Sequence, residues 1–142
     1  MRAEGRIAVE ACTAEALGLV GEPRATDLAA ALDRLGRERD ARHVLVDGPG
    51  AWKRGDAHER LARLSERLAR TPGKAGLPGV TWPRGFRRFT EFAYALYDAL
   101  SARGWARLVE PAALADRDAR FALETFPTAT WRALGLPPLA GK

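Results

Sequence analysis

The chain has one cysteine, two histidines and two serines in 142 residues, and each scarcity closes off a class of chemistry. Cys12 alone can form neither an internal disulfide nor a multi-cysteine zinc site, and the expected compartment is the cytoplasm. His43 and His58 have no cysteine or second histidine at ligand spacing, and His43 is expected only to flank a strand. Ser65 and Ser101 fall inside expected helices, with no nucleophile elbow around either. No apolar run approaches the ~20 residues a membrane span needs, and the first residues lack the continuous apolar core of a signal peptide. No membrane partner is therefore expected. Walker A and dinucleotide fingerprints are absent too; Asp47-Gly48-Pro49-Gly50 is only a loose relative of a phosphate-cradling turn, because Pro49 has no amide to donate.

What is present is an ordinary globular composition, 46% hydrophobic and 29% charged. A chain of this length buries roughly two-thirds of its unfolded surface without covalent staples, so residues 1–142 are expected to form one domain. The net charge of +5 is uneven: residues 53–107 hold 12 basic and 5 acidic side chains, the remainder 11 basic and 13 acidic. A basic centre attracts phosphate groups, which makes nucleic acid a candidate partner. Only 3 of the 23 basic residues are lysine, and an arginine-rich chain with this much alanine, glycine and proline also follows from a GC-rich coding sequence.

Val44, Leu45 and Val46 are too short a run for a stable helix and stop at Asp47-Gly48-Pro49-Gly50, which cannot continue a strand. This predicts a buried strand with a carboxylate at its C-terminal mouth, where open α/β sheets bind ligands. Residues 119–125 repeat the pattern: a short apolar strand, Glu124, and then Pro127 to start a helix that stops at Gly135. A further strand is expected over residues 6–12. Thr13 would cap a short helical turn reaching Leu19, and a helix capped by Thr26 would carry Leu28, Leu32 and Leu35 on one face. Residues 56–70 read as a helix with Leu61, Leu64 and Leu68 buried and Arg60, Arg63, Arg67 and Arg70 in a parallel stripe. Its bland account is a solvated face laced with the Glu59–Arg63 and Glu66–Arg70 pairs. Residues 71–85 form a Pro/Gly-rich loop. Lys74, Trp82 and Arg84 could there meet a phosphate and a base, or Trp82 could plug the core. Residues 86–103 form the clearest helix, its Phe86, Phe89, Ala93, Leu96, Tyr97 and Leu100 expected in the core. Residues 105–109 suggest a short strand, and 136–142 an extended tail.

If the strands ending in Asp47 and Glu124 are neighbours in a parallel sheet, two carboxylates converge and need a cation to neutralise them. Mg²⁺ or Mn²⁺ would suit such oxygen ligands and take the rest from substrate phosphates; two ions would serve a phosphoryl displacement. The alternative is structural: Asp47 bonding the amides of its own Gly48–Gly50 turn, and Glu124 lying near a helix N-terminus.

The succession of Val-Asp-Gly-Pro, Arg63-x-x-Glu66-x-x-x-Arg70, a Pro/Gly-rich loop, an aromatic helix, and Glu-Thr-Phe-Pro-Thr-Ala-Thr-Trp-Arg-Ala-Leu-Gly before a closing Lys142 resembles the uncharacterised domain family numbered 429. That family is regarded as predicted nucleases of the ribonuclease H-like superfamily. The likeness spans residues 6–142 and is most specific over 124–135. It implies an α/β fold, a mixed sheet flanked by helices, and metal-dependent phosphodiester hydrolysis. Asp47 and Glu124 would be the ligands of Mg or Mn, Glu66 a catalytic acid of the same cleft, and Arg63, Arg70, Lys74 and Lys142 substrate-binding groups. One departure is plain: relatives open with a strand carrying Gly-x-Asp, whereas only Met-Arg-Ala-Glu-Gly precedes Arg6 here, and relatives continue past Lys142. The expectation is a shortened version, inactive if the first-strand acid is essential, or a misassigned start, or a strand supplied by a partner. A sheet without its first strand would expose an edge to homodimerisation. The alternatives to a nuclease are a non-catalytic module binding nucleic acid or protein, and a nucleotide or phosphate binder at the Asp47 turn.

Overall fold

Val44, Val46 and Ala122 all turn toward one layer of helices, and that shared direction organises the chain. The computed structural model describes residues 13–53, 63–71, 73–108, 113, 115–116 and 118–137. Its elements run α1 (Ala25–Glu38), β1 (His43–Val46), α2 (Leu64–Leu68), a 3₁₀ turn (Arg84–Phe86), α3 (Arg87–Ser101), β2 (Trp105–Arg107), β3 (Arg120–Glu124) and α4 (Pro127–Ala133). The three strands form a parallel sheet in the order β1-β3-β2. The expected α/β class is thus observed. The strand expected over residues 6–12 lies outside the described residues, as do Val109 and most of the 136–142 tail. No helix among the described residues is long and apolar enough to cross a membrane.

Parallel strands need crossover connections, and α3 lies in the one that carries the chain from β1 to β2, on the two sides of β3. It buries Thr90, Ala93, Leu96, Tyr97 and Leu100, the three-and-four spacing of a single face. Of these, Leu96, Tyr97 and Leu100 join Ala29, Ala99, Trp105 and Ala122 in the core, with Leu28 and Leu32 of α1 packed against them. Along β1, His43 and Leu45 alternate to the other face and are exposed. Around residues 13–18 the expected capped turn is present, though short of a regular helix: the Leu17 amide donates to the Thr13 carbonyl at 3.3 Å and the Thr13 Oγ1 accepts the Ala16 amide at 3.2 Å. Thr26 does not cap α1: the helix starts one residue earlier, and Arg24 stands at the N-cap without a side-chain bond.

The fully buried Trp105 fixes how α1 meets the sheet. Its indole N–H donates to Asp33 Oδ1 at 2.9 Å, and Arg37 Nε donates to the same carboxylate at 3.0 Å. The Arg37 hydrogen bond, and after it that of Trp105, hold the Asp33 carboxyl below its ordinary range despite the opposing effect of burial. A depressed carboxyl contributes stability above its unfolded pKa and loses it as pH falls through the lower folded value. Asp33→Ala leaves a buried indole N–H without an acceptor and is expected to cost about 1–3 kcal/mol at pH 7. In urea denaturation the gap to wild type should narrow toward pH 3; a gap independent of pH would assign the loss to packing alone.

Candidate functional site

The pairing of β1 with β3 sets Val46 opposite Glu124, and the Thr125 amide donates to the Val46 carbonyl at 3.0 Å. Two short strands that each end in an acid therefore finish side by side, and Asp47 and Glu124 line one cleft of about 600 Å³. Glu66, Arg63, Arg70 and Lys74 line it as well. Six of the seven residues singled out from the sequence thus meet at one place. Lys142 lies outside the described residues.

What the carboxylates do there differs from the expectation. Glu124 receives the Arg63 guanidinium as a two-pronged pair, Nη1 to Oε2 at 2.7 Å and Nη2 to Oε1, and its Oε2 also accepts the Gly50 amide at 3.1 Å. The structural alternative has Asp47 bonding the amides of its own turn; here it is Glu124, from the neighbouring strand, that takes the Gly50 amide. Glu66 is buried and fully engaged: Oε2 accepts the Arg63 amide at 2.9 Å and Oε1 the Lys74 amide at 3.1 Å, with Arg63 Nη2 at 3.3 Å. The Arg63 amide bond is the reciprocal half of a capping box, with Glu66 at the third position of α2. Burial disfavours the charge of Arg63, but the Glu124 hydrogen bonds and charge, followed by those of Glu66, more than offset it and leave its pKa raised. Arg63 is thus the cation shared by Glu124 and Glu66, whereas Asp47 does not take part in the pair.

This arrangement inverts the expected face of the α2 segment. Leu64 and Leu68 are 70% and 75% exposed, whereas Arg63 and Glu66 are buried. The expected Glu66–Arg70 pair gives way to Glu66–Arg63, since Glu66 is turned inward. Residues 54–62, including Leu61, Glu59 and Arg60, are outside the described residues. Arg70 adopts a left-handed conformation, φ 51°, just past α2, where the chain leaves the helix and enters the loop that carries Lys74.

For a divalent ion between Asp47 and Glu124, the donor set matters more than proximity. Glu124 Oε2 already accepts two donors, and Oε1 shares the guanidinium, so a dication would have to displace Arg63 or lie against it. Among the described residues no three His, Cys, Asp or Glu side chains group to hold an ion. The residues as arranged do not fit Mg²⁺ or Mn²⁺. Asp47 is exposed and has no hydrogen-bond partner among the described residues.

The rest of the cleft has two characters. Arg70, Lys74 and Arg132 give it a cationic edge with the hydroxyls of Thr71 and Thr128 among them. Arg132 Nη2 donates to the carbonyls of Ala69 and Arg70 at 2.8 and 2.9 Å, which ties α4 to the end of α2. Opposite in chemistry are Phe86, Phe89 and Phe126. Phe86 and Phe89 were expected in the core, but Phe86 lies in the 3₁₀ turn before α3 and Phe89 is 44% exposed. Trp82 does not plug the core either; it is 63% exposed. Beneath the cleft Tyr94 packs edge-on to Trp52 at 4.8 Å. Burial pushes the hydroxyls of Tyr94 and Tyr97 well up, so both stay protonated at neutral pH.

Arg132 and the phenylalanines were missed as cleft residues for different reasons. Arg132 sits inside the closing motif, but only the packing of α4 against Ala69 and Arg70 brings it to the edge. Phe89 shares the helical stripe of the true core residues, and periodicity does not say where the core stops along that stripe. The chain has no significant match among protein-family models, curated proteins or solved structures.

Proposed function

We propose that the cleft at the ends of β1 and β3 binds the phosphate backbone of a nucleic acid, as a binding module that needs no metal held between Asp47 and Glu124. The observation that carries this reading is the charge arrangement. The two inner carboxylates are engaged by Arg63 and by the backbone amides of Gly50, Arg63 and Lys74, so they make no ion pair with the cations at the edge, and Arg70 and Lys74, with Arg132 beside them, face an anion there. Arginine and lysine at such an edge meet phosphate oxygens through charge-assisted hydrogen bonds. The ribonuclease H-like architecture and the family likeness belong to the same proposal and favour nucleic acid over other phosphate carriers.

Binding of a fluorescent single-stranded oligonucleotide, followed by anisotropy from low to high salt, tests it. Phosphate neutralisation releases counterions, so log affinity should fall linearly with log salt. The Arg70→Ala/Lys74→Ala variant should weaken binding and make the slope shallower by roughly 1.4, about 0.7 for each single-strand phosphate that is no longer neutralised. A flat salt response would remove nucleic acid as the ligand. Cleavage that needs Mn²⁺ and disappears in Asp47→Asn would instead reinstate the nuclease reading. Binding of a free mononucleotide as tight as that of the oligonucleotide would favour a small phosphate ligand at the Asp47 turn.

A further inference from the structure

We infer that the nucleic acid taken by this cleft is unpaired, with a base stacked on Phe89 while its backbone lies along the cationic edge; this rests on the phosphate-binding reading above. Phe89 sits on the first turn of α3, and its ring is held edge-on by Phe86 at 5.6 Å between centroids and 76° between planes. Phe86 is in turn covered by the Lys74 ammonium, 4.2 Å from its ring centroid. One ring of the pair is therefore occupied by a cation, and the other is fixed in orientation and 44% exposed in the same cleft.

A rigid aromatic ring left open to water beside ammonium and guanidinium groups is the pairing of surfaces that single-stranded nucleic acids use, a face for the base and cations for the phosphate. A base in a duplex has both faces covered by its neighbours and cannot offer one to a ring in a cleft wall. An acidic peptide would use the cations but leave Phe89 without a planar partner. An apolar peptide would use Phe89 but bury Arg70 and Lys74 without counter-charge. At about 600 Å³ the cleft is within the ~300–1,000 Å³ range typical of small-ligand sites, room for one nucleotide unit rather than for a helix.

The test compares three ligands of one length by anisotropy: a single strand, its duplex, and a strand abasic at its central positions with every phosphate kept. Wild type should bind the intact strand about tenfold or more above the abasic strand, the worth of one stacked base by alanine substitution. Phe89→Ala should bring the intact strand down to the abasic level while leaving the abasic strand and the salt slope unchanged. Phe89→Leu keeps apolar bulk without a π face and should behave like Phe89→Ala, whereas Phe89→Trp should restore or exceed wild-type binding. Thermal unfolding of each variant identifies those that remain folded, and Phe89→Leu carries the comparison if Phe89→Ala does not fold. Equal affinity for intact and abasic strands, or tighter binding of the duplex, overturns the inference and leaves the phosphate reading standing. No salt-dependent binding of any of the three overturns both.

Discussion

Arg63→Met is expected to destabilise the protein by about 3–5 kcal/mol, the cost of removing one partner from a buried ion pair. The reason is the company Arg63 keeps: one guanidinium serves both Glu124 and Glu66, at side-chain exposures of 9%, 18% and 3% respectively. Without it two largely buried carboxylates are left in the cleft wall with no cation between them. Arg63→Lys should fall between the two, since an ammonium carries the charge but cannot grip a carboxylate with two parallel donors. The triple change Arg63→Met/Glu66→Leu/Glu124→Leu should recover most of the loss, because a buried charge network replaced by apolar groups is often neutral. Guanidinium denaturation followed by tryptophan fluorescence measures all three. Millimolar Mn²⁺ should leave wild type unmoved and recover part of the loss in Arg63→Met, where the carboxylates are left without their cation. Equal stabilisation of both proteins would mean that the ion binds elsewhere.

The second large effect lies at Trp105. Trp105→Ala is expected to cost about 3–5 kcal/mol, as large-to-small changes at fully buried aromatics do. Its coupling to Gly36 is the sharper measurement. A methyl group built on Gly36 would stand 2.6 and 2.7 Å from Cζ2 and Cη2 of the indole, so Gly36→Ala should cost about 1–3 kcal/mol in the wild-type background. In Trp105→Ala that obstacle is gone, and the same substitution should change sign and gain up to about 1 kcal/mol from helix propensity. A double-mutant cycle by denaturation reads the interaction directly; additive costs would show that α1 and β2 do not meet as described.

Much of this was legible in the sequence, and the part that was not has one physical cause. Val44 to Asp47 and Phe121 to Glu124 announce themselves as short strands because an apolar run is cut off by an acid and then by glycine or proline, and both acids do reach one cleft. α1 and α3 are visible through apolar spacing that matches 3.6 residues per turn. The α2 segment failed the same logic because it carries two stripes at helical spacing, leucine and arginine. Which one turns inward is decided by Glu124, 61 residues beyond Arg63 in the chain. Glu66 does stand three residues after the N-cap and accepts its amide, but with Arg63 in place of Ser or Thr at the N-cap the spacing carries no recognisable start signal. Nothing local marks Gly50 as the amide that Glu124 would take, or the carbonyls of Ala69 and Arg70 as those Arg132 would reach.

The strand order has a consequence for how the protein comes into being. β3 is the last of the three strands to leave the ribosome, yet it lies between the other two and supplies every ladder bond that either of them makes within this sheet. Until residue 124 has emerged, β1 and β2 lack the ladder partner they share among the described residues, and Arg63 has yet to meet Glu124. A nascent chain halted before Arg120 should therefore be a substrate for chaperones and proteases, however many of its helices have already formed.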